Sequence, residues 1–446
     1  MYALTQASNI KLFRENASEN LIKTIEDEEF RSRSKAGRVG AFTRNRTLTF
    51  RDLLVFIMRG GKSSLQRELD SFYKEVTQSE FNIRKVTKGA FSTARSNLKP
   101  EAFVEMLDNV NQTFYTQAPY WVWKGFRLLG ADGSRLMLPN HPTVIEEFGT
   151  HNFGPNSDSA RSLALISLLY DVLNLTTLDA QIAPYSSSER DLLNEHLPKA
   201  KNGDLLLLDR GYPSILLFFK LFAQKVDFCV RMKEDWWLSV KEFQESGEKE
   251  RIVKFTLPKK DKASFKEEYP DFLEEEITCR LVCITLENGE KEILCTSLVD
   301  IELYPYEDFQ ELYHLRWNEE EGYKLLKARA EMECFTGKTA LAVKQDFHAR
   351  VFAMGFCAIL AFPIEEKVRK EYTKNKNKHD QKINRTGSLA MFRNITIGLL
   401  IRKQVTQALA AFDDIVSNTR EIIRPDRKFE RKKKPKKLHY MNYKAL

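Results

Sequence analysis

Tyr313 to Lys327, reading YHLRWNEEEGYKLLK, is the stretch whose interpretation decides the fold. It has no proline and one glycine, and it is rich in Leu, Glu and Lys, so it reads as helix. At about 100° per residue, Tyr313, Arg316, Glu320 and Lys327 fall within an arc of roughly 60°. A phenol, two cations and a carboxylate would then share one helix face. A solvated surface helix can produce the same pattern, with Arg316 and Glu320 as an ordinary i,i+4 pair. The rest of the chain has to decide between the two.

Two aspartates upstream stand where an active site would want them. Asp132 lies between Phe126-Arg127-Leu128-Leu129-Gly130-Ala131 and Gly133-Ser134-Arg135-Leu136-Met137-Leu138. Asp209 ends the apolar run Leu205 to Leu208 and is followed by Arg210-Gly211-Tyr212-Pro213. That second context describes a buried strand delivering a carboxylate at its C-terminal end, a glycine breaking the strand, and a proline opening a helix. Each aspartate also has a structural alternative. Asp132-Gly133 is a hairpin-turn signal, and Asp209 could pair with Arg210 or cap a helix. Three carboxylates converging from two strands and a helix would bind two Mg²⁺ ions, because hard divalent cations take oxygen ligands.

The pattern Tyr-x2-Arg-x3-Glu-x6-Lys is met at every position by Tyr313, Arg316, Glu320 and Lys327. With Asp132 in GADGS and Asp209 in LLLLDRGY, the chain resembles the DDE transposases of the bacterial IS4 family, in detail over roughly residues 120–335. The resemblance implies an α/β fold with an RNase H-like catalytic core interrupted by a β-rich insertion before the glutamate. It implies an N-terminal helical DNA-binding domain and a basic C-terminal tail. Asp132, Asp209 and Glu320 become the catalytic and metal-binding residues, with Mg²⁺ as cofactor and Mn²⁺ as a substitute. Tyr313, Arg316 and Lys327, with Arg210 beside Asp209, become phosphate contacts. The implied activity is cut-and-paste transposition through a homodimer on double-stranded element ends and target DNA, by a route that can pass through a hairpin with a flipped base. An RNase H-like nuclease and a DNA-binding relative without catalysis are the competing readings.

Composition is compatible with this. A chain of 446 residues can hold two to four domains. Its 70 Lys and Arg against 62 Asp and Glu leave a net charge of +8, whose distribution matters more than its total. Six cysteines without CxxC spacing suggest reduced thiols, and Cys279 and Cys283 read as same-face strand residues. The histidines show no zinc-ligand spacing. With no secretory signal and no apolar run of membrane-spanning length, a cytoplasmic, nucleoid-associated bacterial protein with no membrane partner is expected.

In chain order, residues 1–118 read as a helical DNA-binding domain. Arg31, Arg33, Lys35, Arg38, Arg44, Arg46 and Arg51 form a one-sided basic arm suited to phosphates. GGKSS at 60–64 is not a phosphate-binding loop, since Phe56 stands where that motif needs glycine and no strand precedes it. The segment VTKGAFSTARSNL, capped by Thr87, is a candidate recognition helix presenting Lys88 and Arg95; a plain bundle helix looks the same. Residues 119–233 read as the first part of the core, with strands near 126–131, 134–138, 162–170, 204–209 and 226–232 and a helix at 214–224. The β insertion spans 234–303, marked by the hairpin signal Asn288-Gly289 between alternating runs. Core residues resume over 304–365, with an apolar helix from Ala340 to Phe362. Residues 366–446 follow as a polar loop, a helix and a tail rich in Lys and Arg. At the insertion's entry, Trp236 and Trp237 are adjacent, so at most one can face a core; the other is free to stack on an extruded base, unless both simply pack at the boundary.

Overall fold

A computed structural model describes residues 2–5, 12–37, 40–44, 46–61, 63–152, 160–233, 237–286, 289–375 and 379–423. The chain opens with strand β1 (Tyr2–Leu4) and six helices: α1 (Leu12–Glu26), α2 (Glu28–Arg33), α3 (Phe50–Arg59), α4 (Leu65–Thr77), α5 (Lys88–Arg95) and α6 (Glu101–Gln117). Next come β2 (Trp121–Trp123), β3 (Arg127–Met137), α7 (Pro142–Phe148), β4 (Leu163–Asp171), β5 (Thr176–Pro184), α8 (Glu189–His196), β6 (Asp204–Leu208), α9 (Ile215–Ala223) and β7 (Asp227–Arg231). Then α10 (Leu238–Ser246), β8 (Glu250–Thr256), α11 (Lys259–Glu268), β9 (Glu276–Thr285), β10 (Lys291–Thr296), α12 (Asp308–His314) and α13 (Trp317–Lys324) follow. After a π-helical turn at Leu325–Arg329 come α14 (Ala340–Asn375), β11 (Gln381–Ile383), α15 (Arg385–Thr396), a second π turn at Ile397–Ile401, α16 (Val405–Asn418) and β12 (Arg420–Ile422). Two compact units share these elements: Met1–Thr5, Trp121–Ser134 and Leu165–Gly322 in one, Gln6–Tyr120, Arg135–Ala164 and Tyr323–Leu446 in the other.

The architecture is mixed α/β, built on an eight-stranded sheet of order β5-β4-β3-β6-β7-β10-β9-β8. Strands β3, β6 and β7 run parallel, with Ala131 opposite Leu208 and Leu208 opposite Val230. Strand β4 runs antiparallel to β3, as the hydrogen bonds from Val172 N–H to Leu128 O and from Leu138 N–H to Ser162 O require. Beyond β7, the pairs β7–β10, β10–β9 and β9–β8 are all antiparallel. Leu205 to Leu208 have no exposed surface, as expected of a strand buried on both faces. At the N-terminal ends of β3 and β6, Arg127 donates two hydrogen bonds to Asp204, at 2.8 and 2.7 Å, and fixes their register. The link between β6 and β7 is helical because Ser214 caps α9, accepting from Leu217 N–H.

Several expectations change. The strands expected at 126–131 and 134–138 are one eleven-residue strand, so Asp132-Gly133 makes no turn. The β9–β10 hairpin forms with Gly289 at φ +84, while Glu287 and Asn288 lie outside the described residues. None of the six cysteines is in a disulfide; Cys279 is buried and Cys283 only half-buried.

The helical unit is organised by α14, which packs against α6, α3, α16 and α15. It runs thirteen residues past the expected end at Phe362, through Pro363, into the segment read as a polar loop. By length and composition, Ala340–Glu371 could cross a membrane, contrary to the sequence reading, but 83% of its most apolar window is buried within the protein. It is a core helix. Arg14 of α1 pins it by donating to Leu360 O while also pairing with Asp413.

Candidate active site

The register of β3 and β6 sets the site. Because Ala131 faces Leu208 in a parallel pair, Asp132 and Asp209 come side by side where β6 ends and β3 runs on. The Asp132 carboxylate is half-buried, and its Oδ1 accepts from Gly133 N–H at 2.8 Å. Burial raises its pKa, the Gly133 bond and the Arg316 charge oppose the rise, and the charges of Asp209 and Glu320 add to it. Oδ1 of Asp209 is buried and has no hydrogen-bond partner among the described residues.

The Tyr313–Lys327 stretch is not one helix. Helix α12 ends at His314, Leu315-Arg316 forms a turn, and α13 begins at Trp317. The bonds at the break are tightened to i→i−3, Arg316 N–H to Tyr313 O and Glu319 N–H to Arg316 O. The break spoils the single shared face and sends each residue its own way. Arg316 is 6% exposed, with its guanidinium carbon 5.6 Å from the Tyr313 ring centre and 5.3 Å from that of Trp317. Burial opposes its charge, but Tyr313, Asp209, Asp132 and Glu319 more than offset that. Tyr313 is buried, and its hydroxyl donates to Leu208 O at 3.3 Å. The expected phosphate contact is corrected for this residue: its phenol braces the strand that carries Asp209.

Two glutamates escaped the sequence reading. Glu319 is fully buried, and neither carboxylate oxygen has a partner in good hydrogen-bond geometry among the described residues; the Arg316 charge and the nearby Asp132 N–H favour its ionised form without offsetting burial. Burial, then the neighbouring Asp132 charge, pushes its pKa well up. A Cβ on Gly130 would come within 2.6 Å of Glu319 Oε2. On the opposite side of Asp132, at the start of α8, a Cβ on Gly133 would meet Glu189 Oε1 at 2.4 Å, and one on Gly211 would lie 3.6 Å from Oε2. Burial and the charges of Asp132 and Asp209 raise the Glu189 pKa too. Next to it, Arg190 Nε donates to Gly211 O at 2.8 Å, holding the loop after Asp209. The Tyr212 hydroxyl, on which the charges of Glu189, Glu319, Asp132 and Asp209 act, is buried and has no hydrogen-bond partner among the described residues. Gly130 and Gly133, on either side of Asp132, were the available signal: they leave room for the Glu319 and Glu189 carboxyl groups.

The remaining candidates scatter. Glu320 is half-buried, and its charge acts on Asp132 and Glu319. Arg210 is exposed in the turn after Asp209. Lys327 sits in the π-helical turn of the other unit, where burial lowers its pKa, Glu333 opposes this and Arg135 adds to it. Arg95 is 5% exposed, and its guanidinium donates to Gln345, Thr336, Ala342 O and Asp346. It anchors the helical unit from inside and cannot read DNA from the surface of α5. Lys88 is exposed at the start of α5. Trp237 packs edge-on against Phe218 and Phe255, at 5.6 and 5.0 Å, and so takes the core role; Trp236 lies outside the described residues, as does the tail from residue 424.

Among the described residues, no three His, Cys, Asp or Glu side chains are gathered closely enough to hold a metal ion. The donor chemistry nonetheless fits one. Five carboxyl groups, those of Asp132, Glu189, Asp209, Glu319 and Glu320, interact electrostatically, with orphaned oxygens on Asp209 and Glu319. A hard cation would relieve both the repulsion and the missing partners.

A family model described as "Transposase DDE domain" matches residues 132–356. Transposase InsG for insertion sequence element IS4, from Escherichia coli (strain K12), is 24% identical over 244 residues, 54% of this chain and 53% of that protein. The chain thus spans about half the length of this curated relative. A cryo-EM structure of the piggyBac transposase synaptic complex with hairpin DNA superposes at a TM-score of 0.44 and 11% identity, over 94% of this chain and 87% of the other.

Proposed function

The chain belongs to the transposase DDE domain family, and on that premise we propose that it is a DNA transposase that cuts element ends and joins them to target DNA. The observation that carries the proposal is the side-by-side emergence of Asp132 and Asp209 from parallel strands, with Arg316 acting on both and Glu320 on Asp132. The order β5-β4-β3-β6-β7, antiparallel up to β3 and parallel from β3 to β7, supports reading these strands as an RNase H-like core. Strands β8 to β10 then form the insertion at residues 234–303. Residues 1–118 make a DNA-binding domain, 119–233 and 304–365 the two parts of the core, and 366–446 a C-terminal helical segment and tail.

Asp132, Asp209 and Glu320 would hold Mg²⁺, with Mn²⁺ as a substitute. Divalent cations supply Lewis acidity at the scissile phosphate and make the attacking water more acidic. In the first step the water oxygen bonds to phosphorus, the P–O3′ bond breaks, and the 3′-oxygen leaves with a proton. In the second, the freed 3′-hydroxyl attacks a target phosphodiester, so bonds are exchanged with no outside energy source. Arg316, held between two aromatic rings, orients the phosphate by charge-assisted hydrogen bonds. Arg210, exposed in the turn after Asp209, adds a phosphate contact. The partners are double-stranded DNA and a second copy of the chain, in a bacterial cytoplasm.

The test is incubation of the full chain with DNA fragments carrying the element's own ends plus Mg²⁺, resolving nicked, hairpin and joined products. Joined products are expected. Cleavage without joining would make the protein a nuclease of this fold, and binding without cleavage would make it a DNA-binding relative.

A further inference from the structure

Behind Asp132, three side chains from β4, β5 and α8 form a hydrogen-bonded line. Ser167 Oγ donates to the Asp132 carbonyl at 3.1 Å, His196 Nε2 lies 3.0 Å from Ser167 Oγ, and His196 Nδ1 lies 2.7 Å from Asp179 Oδ2. Gln181 Nε2 also donates to Asp179 Oδ2, at 2.8 Å. Ser167 and His196 have no exposed surface, and Asp179 is 4% exposed. The same residue types catalyse acyl transfer elsewhere, but here the hydroxyl proton is given to a main-chain carbonyl and nothing reaches the serine from solvent. Ser167 has one O–H and uses it on Asp132 O, so toward His196 Nε2 its oxygen serves as acceptor, while Nδ1 faces the Asp179 carboxylate.

Burying a histidine–carboxylate pair is costly unless every member is satisfied, and this line runs from Gln181 to the Asp132 carbonyl. The peptide group between Asp132 and Gly133 explains why that end matters. Its carbonyl accepts from Ser167, and its N–H donates to Asp132 Oδ1. A peptide is planar, so fixing the carbonyl aims the N–H, and the N–H aims the carboxylate. We infer that Ser167, His196 and Asp179 are positioning residues that orient the Asp132 carboxylate through its own main chain. The inference rests on the reading of Asp132 as a metal-binding catalytic acid.

The test compares the full-length wild type with Ser167→Ala, which removes only the terminal donor, and with Ser167→Thr, which restores a hydroxyl. Three quantities are measured: hydrogen exchange in the peptide containing Gly133, Mn²⁺ affinity by electron paramagnetic resonance, and the single-turnover cleavage rate against Mg²⁺ concentration. Ser167→Ala should speed exchange, weaken Mn²⁺ binding roughly tenfold and slow cleavage about as much, with DNA-end affinity unchanged and recovery in Ser167→Thr. A folded Ser167→Ala protein with wild-type exchange and wild-type Mn²⁺ affinity overturns the inference. If the wild type neither binds Mn²⁺ nor cuts DNA, the transposase reading fails, and hydrogen exchange alone then decides whether Ser167 holds this peptide.

Discussion

Removing one carboxylate should separate cutting from holding. Asp132→Ala, Asp209→Ala and Glu320→Ala are each expected to lower end cleavage by about a thousandfold or more. The dissociation constant for end DNA should change by less than about threefold, since most contacts to a duplex are made to its backbone by other residues. Gel-shift and cleavage assays on the same preparation measure both, and a Glu320→Ala enzyme that cuts at the normal rate ends the proposal. Arg316→Ala should likewise cost more in rate than in affinity; an effect confined to the salt dependence of binding would make it general electrostatics. Glu319 makes a different prediction. Its pKa is raised well above 4.5, so between that value and its folded pKa the folded protein binds more protons than the unfolded chain. Stability must therefore fall as pH rises through this window. Glu319→Gln keeps the shape and removes the titration. In chelator, the variant's melting temperature should exceed that of the wild type by a few degrees at pH 8, about 1–2 kcal/mol, with the gap closing near pH 5. A gap that persists at pH 5 would assign the effect to packing and not to charge.

At the level of elements, the site depends on helices approaching a strand that has no side chain in the way. Helix α13 lies over β3 and β4, with Glu319 against Gly130, Gly322 against the Tyr170 ring, and Asn318 Nδ2 donating to Val172 O at 3.0 Å. Gly130→Ala puts a methyl into the Glu319 carboxyl and should destabilise by about 1–3 kcal/mol. Adding Glu319→Ala should recover part of that stability; simple additivity in a denaturant-melt cycle would mean the two positions do not collide. This approach also marks where the sequence stopped being informative. Apolar runs revealed β4, β6 and β7, the Asn-Gly signal marked the β9–β10 hairpin, and Thr87 was legible as the cap of α5, because each depends on neighbours along the chain. Strand β5, reading TTLDAQIAP, and helix α8 were missed, since a polar strand and a short helix carry weak periodicity. The break at Leu315-Arg316 was invisible for another reason. Nothing local forbids a continuous helix there, and the turn answers to what Arg316 and Tyr313 meet across the sheet end. Glu189 and Glu319 belong to the same class, being neighbours of Asp132 only in space.

Across the whole molecule, charge is distributed in a way that the total of +8 hides. In the helical unit many basic residues are matched by acids: Arg33 by Glu105, Arg51 by Glu26, Arg59 by Glu75 and Arg84 by Asp70. The basic arm at residues 31–51 is thus partly neutralised by acids distant in sequence. Residues 424–446 hold ten Lys and Arg against Asp426 and Glu430, a net +8, so residues 1–423 carry 60 of each sign and are neutral by formal count. Long-range attraction to DNA should then reside largely in those last 23 residues. Truncation after Ile423 is expected to leave the melting temperature unchanged and to weaken non-specific duplex binding by tenfold or more near 0.1 M salt, roughly the effect of leaving a few phosphates without a cation. The decisive quantity is the slope of log affinity against log salt, which should become shallower by about 0.9 for each phosphate that the tail no longer neutralises. Mg²⁺-dependent nicking of pre-bound ends should survive, because Asp132, Asp209 and Glu320 are untouched. A truncated protein with the full-length slope would show that the tail's charge does not meet DNA, and that the duplex is held instead by exposed cations such as Lys88 and Arg210.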